Sequence, residues 1–331
     1  GCVIGYDINE KGCQISYYDD SMEEPDTMMA SSNNYLIPLV LGYFKDRWVF
    51  GKEAKRLAVV GEDCTETDLY GKAKRREKVS LAGKTYDAVW LLAKYISLTL
   101  QDFENIQYLT FTTPETDVDM AKMLKGIGQH IGVDKEIINV QDYKESFCQY
   151  MIFQPKELWQ YESALFYCDE DRIKAYMLRR LRVDASHGMN SFVTVDEVAN
   201  AQRKELEALY PIMNKEKSPD ESFKSMIENV FEKKVISSVY LTGEGFEKNW
   251  YPNSLRVLCN GRRAFMGNNL YSKGACYKSI RKCEPNDDGP IYLDETKLTE
   301  RICLRMRVDG QEGWYPLVTW GTHWYEADGQ W

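Results

Sequence analysis

The chain has 331 residues, of which 44% are hydrophobic and 28% are charged, so it is long enough to build more than one hydrophobic core. Its formal net charge of −9 argues against broad, sequence-independent binding to nucleic acid or to anionic membranes. Nine cysteines without a CxxC pair, together with only three histidines, exclude the usual zinc spacings and favour a reducing, cytoplasmic location.

Two similar hairpins stand out along the chain. Residues 3–8 and 13–18 predict two strands joined by the four-residue turn Asn9-Glu10-Lys11-Gly12. Residues 164–168 and 173–178 repeat this pattern around the turn Asp169-Glu170-Asp171-Arg172. A duplicated hairpin indicates two similar lobes, which we expect to face a shared cleft.

The first half continues with a β–α–β unit. Residues 85–104 and 116–131 carry apolar side chains at helical spacing, and residues 108–112 and 137–140 read as short apolar strands. A strand, a helix and a second strand in this order predict a parallel pair with a crossover helix.

The second half carries two apparent helix starts. Thr194 with Glu197, and Ser218 with Glu221, each match a capping box. The elements expected to follow are a strand at 235–241, a glycine turn at 242–245, a strand at 256–259 and a helix through Leu270, Gly274 and Tyr277.

The residues after about 285 change in character. Residues 289–293 and 301–306 resemble antiparallel strands and predict a small β appendage. The aromatic residues that follow could stack on a sugar or a peptide, or could form the core or interface of the appendage. They are Trp314, Tyr315, Trp320, Trp324, Tyr325 and Trp331. Because the chain starts at Gly1 and stops within this stretch, we expect a C-terminal partner domain beyond it.

These observations divide the chain into three predicted regions. Lobe I spans residues 1–155 with an insertion at about 35–105, and lobe II spans 156–285 with a helical insertion at about 185–234. Residues 286–331 form the β appendage.

The order of these motifs resembles the actin-like ATPase superfamily, and most closely the seventy-kilodalton heat-shock chaperone branch. The resemblance covers roughly residues 3–282 and implies an α/β fold with two lobes built on duplicated ribonuclease-H-like domains. The similar segments are the hairpins at 3–18 and 164–178, the strand at 109–114, the helix at 142–150, the adenosine-type loop at 239–246 and the helix at 270–279.

The resemblance implies a nucleotide site with Mg²⁺. Asp7 would position the hydrated metal, and Asp142 would act as general base, although it is one methylene shorter than the family's Glu. Alternatively, Asp7 bonds backbone donors and Asp142 caps a helix. The implied nucleotide-binding residues are Asn9, Lys11, Lys72 (or Lys74), Thr242, Gly243, Glu244, Gly245, Lys273 and Gly274. For the lysine at 72 or 74 a plain surface role is the alternative, and for residues 242–245 a plain strand-to-helix turn.

The resemblance implies glycines in both turns that let the backbone cradle phosphate, but Asn9-Glu10-Lys11 and Asp169-Glu170-Asp171-Arg172 stand in their place. In the first turn Asn9 could adopt positive φ and Lys11 could pair with a phosphate, but Glu10 adds negative charge. The second turn is acidic and shorter than the corresponding turn of the family. A carboxylate at about 4 Å repels a phosphate charge by roughly 4 kcal/mol at an effective dielectric near 20. Asp169 and Asp171 could hold Mg²⁺ themselves, or the turn could be a solvated acidic hairpin.

Three functions remain open. The first is a degenerate relative that binds or scaffolds a protein partner or a second copy, with weak or no ATP hydrolysis. The second is an active Mg-ATPase of chaperone type, in which ATP or ADP with Mg²⁺ couples lobe closure to a C-terminal domain. The third, a sugar or small-acid kinase, lacks a candidate acceptor-activating Asp. The damaged turns favour the first function.

Overall fold

The computed structural model describes residues 1–61, 63–181, 191–202, 218–295, 297, 302–318 and 321–323. Helices α1 to α8 span Gly51–Val60, Leu69–Lys74, Ala88–Thr99, Val118–His130, Tyr143–Ile152, Pro219–Phe231, Pro252–Leu258 and Leu270–Cys283. Strands β1 to β11 span Cys2–Ile8, Gly12–Tyr18, Asp26–Thr27, Ile37–Pro38, Leu41–Phe44, Arg47–Phe50, Thr65–Glu66, Lys78–Leu81, Lys84–Asp87, Ile106–Thr113 and Ile138–Asp142. Strands β12 to β19 span Glu162–Cys168, Arg172–Leu181, Phe192–Gln202, Ile236–Thr242, Arg263–Met266, Ile291–Tyr292, Ile302–Val308 and Gln311–Val318.

The chain is a mixed α/β protein, as the sequence predicts, and it divides into two compact units. The first unit contains residues 1–150 and 268–287, and the second contains 151–267 and 288–331. The first unit is therefore discontinuous in sequence, because α8 returns to it. Of the helices described above, none has both the length and the apolar content needed to cross a membrane.

The first unit is built on a sheet in the order β11–β10–β1–β2–β3, with β4 also paired to β2. Strands β1, β10 and β11 run parallel, whereas β2 is antiparallel to β1. Helix α4 connects β10 to β11, which confirms the predicted parallel β–α–β unit. The helix predicted from the apolar spacing in 85–104 is also present, as α3.

The two faces of this sheet differ in chemistry because side chains alternate along a strand. One face carries large apolar residues, including Ile4, Tyr6 and Phe111, which share a core with α3 and α4. The other face carries small or polar residues, including Thr110, Thr112 and Gln141, all fully buried. Helix α8 packs against β1, β2 and β10.

Helix α8 lies so close to β1 that a glycine is required between them. A Cβ at Gly5 would collide with the backbone of Ser272 and Cys276 in α8. Small hydroxyl side chains complete this contact: Ser279 Oγ donates to the carbonyl oxygen of Ile4 at 2.8 Å. The polar face is thus covered by a helix at short range and joined to it by hydrogen bonds.

The second unit repeats the strand order of the first. Its sheet runs β16–β15–β12–β13–β14, with β12, β15 and β16 parallel and β13 antiparallel to β12. Its core is rich in aromatic residues, among them Phe166, Phe223 and Phe246. The predicted start of α6 is confirmed, since Ser218 Oγ accepts from the N–H of Glu221 and Pro219 is the first helical residue.

The helix predicted from Thr194 and Glu197 is wrong. Residues Phe192–Gln202 form β14, which pairs with β13 along its length. The β-branched residues at 193–195 favour a strand, and burial of Val193 and Val195 in the sheet outweighs the local capping pattern.

The strand predicted at 256–259 is also wrong. Most of this segment lies in α7, whose first turn is fixed by Asp220 of α6. The two carboxylate oxygens of Asp220 accept from the N–H groups of Asn253 and Ser254, each at 2.8 Å. A four-residue segment such as Arg256-Val257-Leu258-Cys259 is too short to distinguish a strand from a buried helix segment. The parallel neighbour of β15 is β16 instead.

The residues after 285 do contain an antiparallel hairpin, formed by β18 and β19. However, β17 pairs in parallel with β14 of the second sheet and not with this hairpin. The prediction of an antiparallel strand at residues 289–293 is therefore wrong, whereas most of 301–306 does lie in the antiparallel strand β18. Of the aromatic cluster, Trp314 is 68% exposed and Tyr315 is half-buried. Trp320, Trp324, Tyr325 and Trp331 lie outside the described residues.

Candidate functional site

A buried carboxylate lies near the carboxyl end of β1. Asp7 is only 5% exposed, and its Oδ1 accepts a hydrogen bond from the hydroxyl of Tyr143 at 2.6 Å. The same hydroxyl accepts from Nδ2 of Asn9 at 2.9 Å. Tyr143 therefore joins the acid to the adjacent hairpin turn.

The start of α5 places Tyr143. Asp142 ends β11, and its Oδ1 accepts from the N–H of Glu145 at 2.9 Å, as expected for a helix N-cap. Tyr143 follows directly and stacks on Tyr271 of α8, with ring centroids 3.8 Å apart and planes 8° from parallel. The alternative interpretation of Asp142, a helix cap, thus matches its observed contact.

The environment of Asp7 favours its neutral form. Burial raises the pKa of Asp7 from 3.8 to about 7, while the hydrogen bond from Tyr143 acts in the opposite direction. Among the described residues, no Lys, Arg or His forms an ion pair with it. Its cross-strand neighbour Gln14 has a buried Oε1 that finds no hydrogen-bond partner in the part of the chain that the structure describes. A buried acid beside an unsatisfied acceptor marks this place as a candidate site.

The surroundings of this site are negative. The pKa of Tyr70 is raised first by burial and then by the charges of Asp7, Glu10, Glu115 and Asp117. Such a potential repels phosphate and attracts cations. Across the described ranges, however, no three His, Cys, Asp or Glu side chains are grouped closely enough to hold one metal ion.

The first hairpin turn is closed by its own side chain. Asn9 Oδ1 accepts from the N–H groups of Lys11 at 2.9 Å and Gly12 at 3.3 Å. The N–H of Asn9 donates to the carbonyl oxygen of Gly12 at 3.0 Å. Three of the four backbone donors of this turn are thus bonded within it, and none of its residues has positive φ. The Lys11 side chain is exposed.

The second turn is closed in the same way. Asp169 Oδ1 accepts from the N–H groups of Asp171 at 2.8 Å and Arg172 at 2.7 Å. The N–H of Asp169 donates to the carbonyl oxygen of Arg172 at 3.0 Å. Asp169, predicted to bind metal, therefore uses one carboxylate oxygen to hold the turn together.

The glycines of the loop after β15 pack against the end of β12. A Cβ at Gly243 would collide with the backbone of Cys168, and one at Gly245 would collide with its Sγ atom. Gly243 also has a φ of +105°, which other residues rarely adopt. In the same loop Thr242 is buried and Glu244 is exposed. The close approach to β12 therefore explains both glycines.

The remaining predicted residues lie in the first unit. Lys72 Nζ pairs with the largely buried Glu66, at 2.8 Å from Oε1. Lys273 is half-buried on α8, and a Cβ at its neighbour Gly274 would collide with the backbone of Ser146 in α5. Gly274 thus permits α5 and α8 to pack closely.

Sequence reasoning missed Tyr143 and Gln14. Tyr143 lies 136 positions from Asp7 in the chain, so its role depends on a long-range contact. One available signal was its position at the start of the helix after β11, at the edge of the sheet where β1 also ends. For Gln14, the signal was a polar residue between the buried Cys13 and Ile15.

Comparison with known proteins gives a family but no described activity. No curated protein matches the sequence. The model of the C-terminal part of DUF5716, a family of unknown function, matches residues 24–295. Since this match covers well over half of the chain, the protein belongs to the DUF5716 family.

Proposed function

We propose that the chain is an actin-like module that binds a protein partner or a second copy, with weak or no ATP hydrolysis. The repeated strand order supports the framework. In each unit a hairpin is followed by two further parallel strands, in the order β3–β2–β1–β10–β11 and β14–β13–β12–β15–β16. A duplicated ribonuclease-H-like fold of the heat-shock chaperone type would have this arrangement in both halves.

The single observation that carries the proposal is the closure of both turns. An ATPase of this type needs the backbone N–H groups of its hairpin turns to bind phosphate oxygens. Here Asn9 Oδ1 and Asp169 Oδ1 each occupy two of those donors. Opening either turn would cost hydrogen bonds worth about 0.5–1.5 kcal/mol each before any phosphate could bind.

The charges act in the same direction. The second turn adds three carboxylates at positions 169–171, and the first turn adds Glu10 beside the buried Asp7. The resident residues do not fit a triphosphate well, because the turns offer few donors and a negative potential. The role of Asp142 as a helix cap also weakens the case for a general base there.

An exposed apolar surface supports a protein partner. The hairpin of β18 and β19 pairs with no other strand among the described residues. It exposes Leu304, Trp314 and Leu317, at 46%, 68% and 47% of their surfaces. Leu304 pairs with Tyr315 and Trp314 with Arg305, so exposed apolar side chains lie on both faces of the hairpin. A two-stranded hairpin is marginally stable alone, and large exposed apolar side chains on it are consistent with packing against a partner.

Calorimetry of the purified chain with ATP and Mg²⁺ tests the absence of an ATPase. We expect neither micromolar binding nor the sustained heat of hydrolysis. If both occur, the chain is a working Mg-ATPase and the proposal fails. In that case the variant Asp7→Ala tells whether the predicted metal position contributes, because turnover should then fall by orders of magnitude.

Sedimentation velocity over a concentration series tests the binding role in its simplest form, self-association. We expect a concentration-dependent dimer that is weakened by Trp314→Ser. The control is Met266→Ser, which removes an apolar side chain of similar exposure (64%) outside the hairpin. A purely monomeric chain, or equal effects of both variants, argues against self-association through β18 and β19.

A further inference from the structure

The first unit contains a pocket of about 270 Å³ whose lining includes none of the predicted nucleotide residues. It is bounded by the connection after β3, by β4, by the junction of β6 with α1, and by the end of α3. None of the residues assigned above to phosphate, adenosine or metal lines it. This pocket is therefore independent of the proposed function.

The walls of the pocket are apolar. Met28, Ile37, Pro38, Phe50 and Leu98 line it, and Ile37 and Phe50 also contact the hydrophobic core of the first unit. The buried hydroxyl of Thr99 is already bonded to the hydroxyl of Tyr6 at 2.8 Å, so it does not need a ligand. Such a wall would bind a hydrocarbon or aromatic group through the area it removes from water.

The rim carries one free charge of each sign. Glu53 is neutralised by the guanidinium of Arg47. Lys52 and Asp102 also line the pocket, and neither forms an ion pair with another described residue. Lys52 lies in the first turn of α1 and Asp102 just after the end of α3, so the two charges belong to different elements of the pocket's boundary.

We propose that this pocket binds a free α-amino acid with an apolar side chain. The side chain occupies the apolar walls, the carboxylate faces the ammonium of Lys52, and the ammonium faces the carboxylate of Asp102. A zwitterion complements both rim charges, whereas a singly charged apolar molecule complements one of them. The volume lies just below the usual range of about 300–1,000 Å³ for ligand pockets, which favours a ligand of this size over a nucleotide.

The probes for the test are L-phenylalanine, phenethylamine and 3-phenylpropionate. All three carry the same aromatic ring, but the second lacks the carboxylate and the third lacks the ammonium. Titration followed by chemical-shift changes in the full chain should show saturable binding of L-phenylalanine. Each single-charge analogue should bind about twofold to fivefold more weakly, the range for an exposed ion pair.

Matched variants assign each contact. Lys52→Gln should weaken the binding of L-phenylalanine but not that of phenethylamine, which has no carboxylate. Asp102→Asn should weaken the binding of L-phenylalanine but not that of 3-phenylpropionate, which has no ammonium. Lys55→Gln is the control, because Lys55 is also exposed on α1 and does not line the pocket. Leu98→Trp should fill the pocket and abolish binding of all three probes, with the thermal unfolding midpoint checking that the chain still folds.

The outcomes decide the proposal. If L-phenylalanine does not bind at millimolar concentration, or binds Leu98→Trp equally well, the pocket is not an amino-acid site. If phenethylamine or 3-phenylpropionate binds as tightly as L-phenylalanine, the zwitterion requirement is wrong. The calorimetric test with ATP is separate, so failure of either proposal leaves the other standing.

Discussion

The two hairpins that start the two sheets have the same turn but different strand ends. Asn9 and Asp169 close their turns with the same pair of side-chain hydrogen bonds. Two residues before each turn, however, β1 has the buried Asp7, whereas β12 has the half-buried Tyr167. The hydroxyl of Tyr167 donates to Asp169 at 3.0 Å, so it serves the turn itself.

This difference teaches that turn geometry and site chemistry depend on separate residues. One Asn or Asp suffices to close a turn, because its side chain reaches the backbone donors two and three positions on. A buried acid needs more, namely a covering element and a partner. In the first unit Tyr143 donates to Asp7 and stacks on α8, and the second hairpin has no acid at this position.

Asp7 has no counterpart in the second hairpin, and Asp7→Asn should produce the largest change in the free energy of unfolding. In the folded state the pKa of Asp7 is about 7, so its proton is kept up to about that pH, whereas the unfolded chain loses the proton near the usual pKa of 3.8. Stability from this group is therefore complete below about pH 4 and lost as the pH rises to 7. At pH 8 the free energy of unfolding of Asp7→Asn should therefore exceed that of the parent chain by roughly 4 kcal/mol, because each pKa unit corresponds to about 1.4 kcal/mol.

Urea unfolding of both proteins at pH 4.5 and pH 8 checks this prediction. The new amide can keep accepting from Tyr143, and the unpartnered Oε1 of Gln14 lies on the same face of the sheet. As a control, Asp142→Asn should show no such gain. If the difference between Asp7→Asn and the parent chain is the same at both pH values, the buried acid is ionised throughout.

The next effect concerns the residue four positions before each turn, which is Gly5 in β1 and the buried Leu165 in β12. Gly5→Ala should destabilise the first unit by about 3 kcal/mol, because the added methyl meets the backbone of α8. Gly126→Ala in α4 is the control, since nothing lies near its added methyl, and it should stabilise by about 0.5–1 kcal/mol. Equal effects in denaturant unfolding would mean that α8 moves away readily.

Removing the closing side chains tests whether the turns are equivalent. Asn9→Ala and Asp169→Ala each delete two hydrogen bonds to backbone N–H groups, and each should cost about 1–2 kcal/mol. Asn9→Ala should also raise the pKa of Tyr143 further, because the hydrogen bond that Asn9 donates to that hydroxyl at 2.9 Å lowers it. Amide hydrogen exchange at residues 11, 12, 171 and 172 measures the loosening directly. Unchanged protection would show that the backbone closes both turns without these side chains.

The smallest effect concerns a cation predicted to bind phosphate in the first unit. Lys72→Met breaks the pair with Glu66 and should lower the free energy of unfolding by about 1 kcal/mol. We expect no change in the heat measured on mixing with ATP and Mg²⁺. A loss of nucleotide binding in this variant, with stability unchanged, would instead restore the phosphate-contacting role.

Local patterns were enough to predict much of the framework. The hairpins, the crossover helix and the caps of α6 depend on residues close together in sequence, and so they could be inferred from spacing. The helix predicted from Thr194 and Glu197 was wrong because a capping pattern involves only two nearby residues. Whether this segment forms a strand depends on its pairing with β13. The strand predicted at 256–259 was wrong for the same reason, since the start of α7 is held by Asp220, which is distant in sequence.

The candidate site was only half predictable. Asp7 and Asn9 follow from the hairpin itself, but their partner Tyr143 comes from a distant helix. Likewise, the glycines at 243 and 245 could be recognised as unusual, but their reason, the backbone and sulfur of Cys168, appears only in three dimensions. Contacts between distant segments thus separate a list of candidate residues from an account of what each one does.

The return of α8 to the first unit has a consequence for biosynthesis. Residues 270–283 are made only after residues 151–267 of the second unit, yet they pack against β1, β2 and β10 of the sheet that begins at residue 2. Until then, Gly5 and Thr110 lack the helix that packs against them in the folded unit. The nascent chain must therefore wait for its late helix before its earliest strands are fully enclosed.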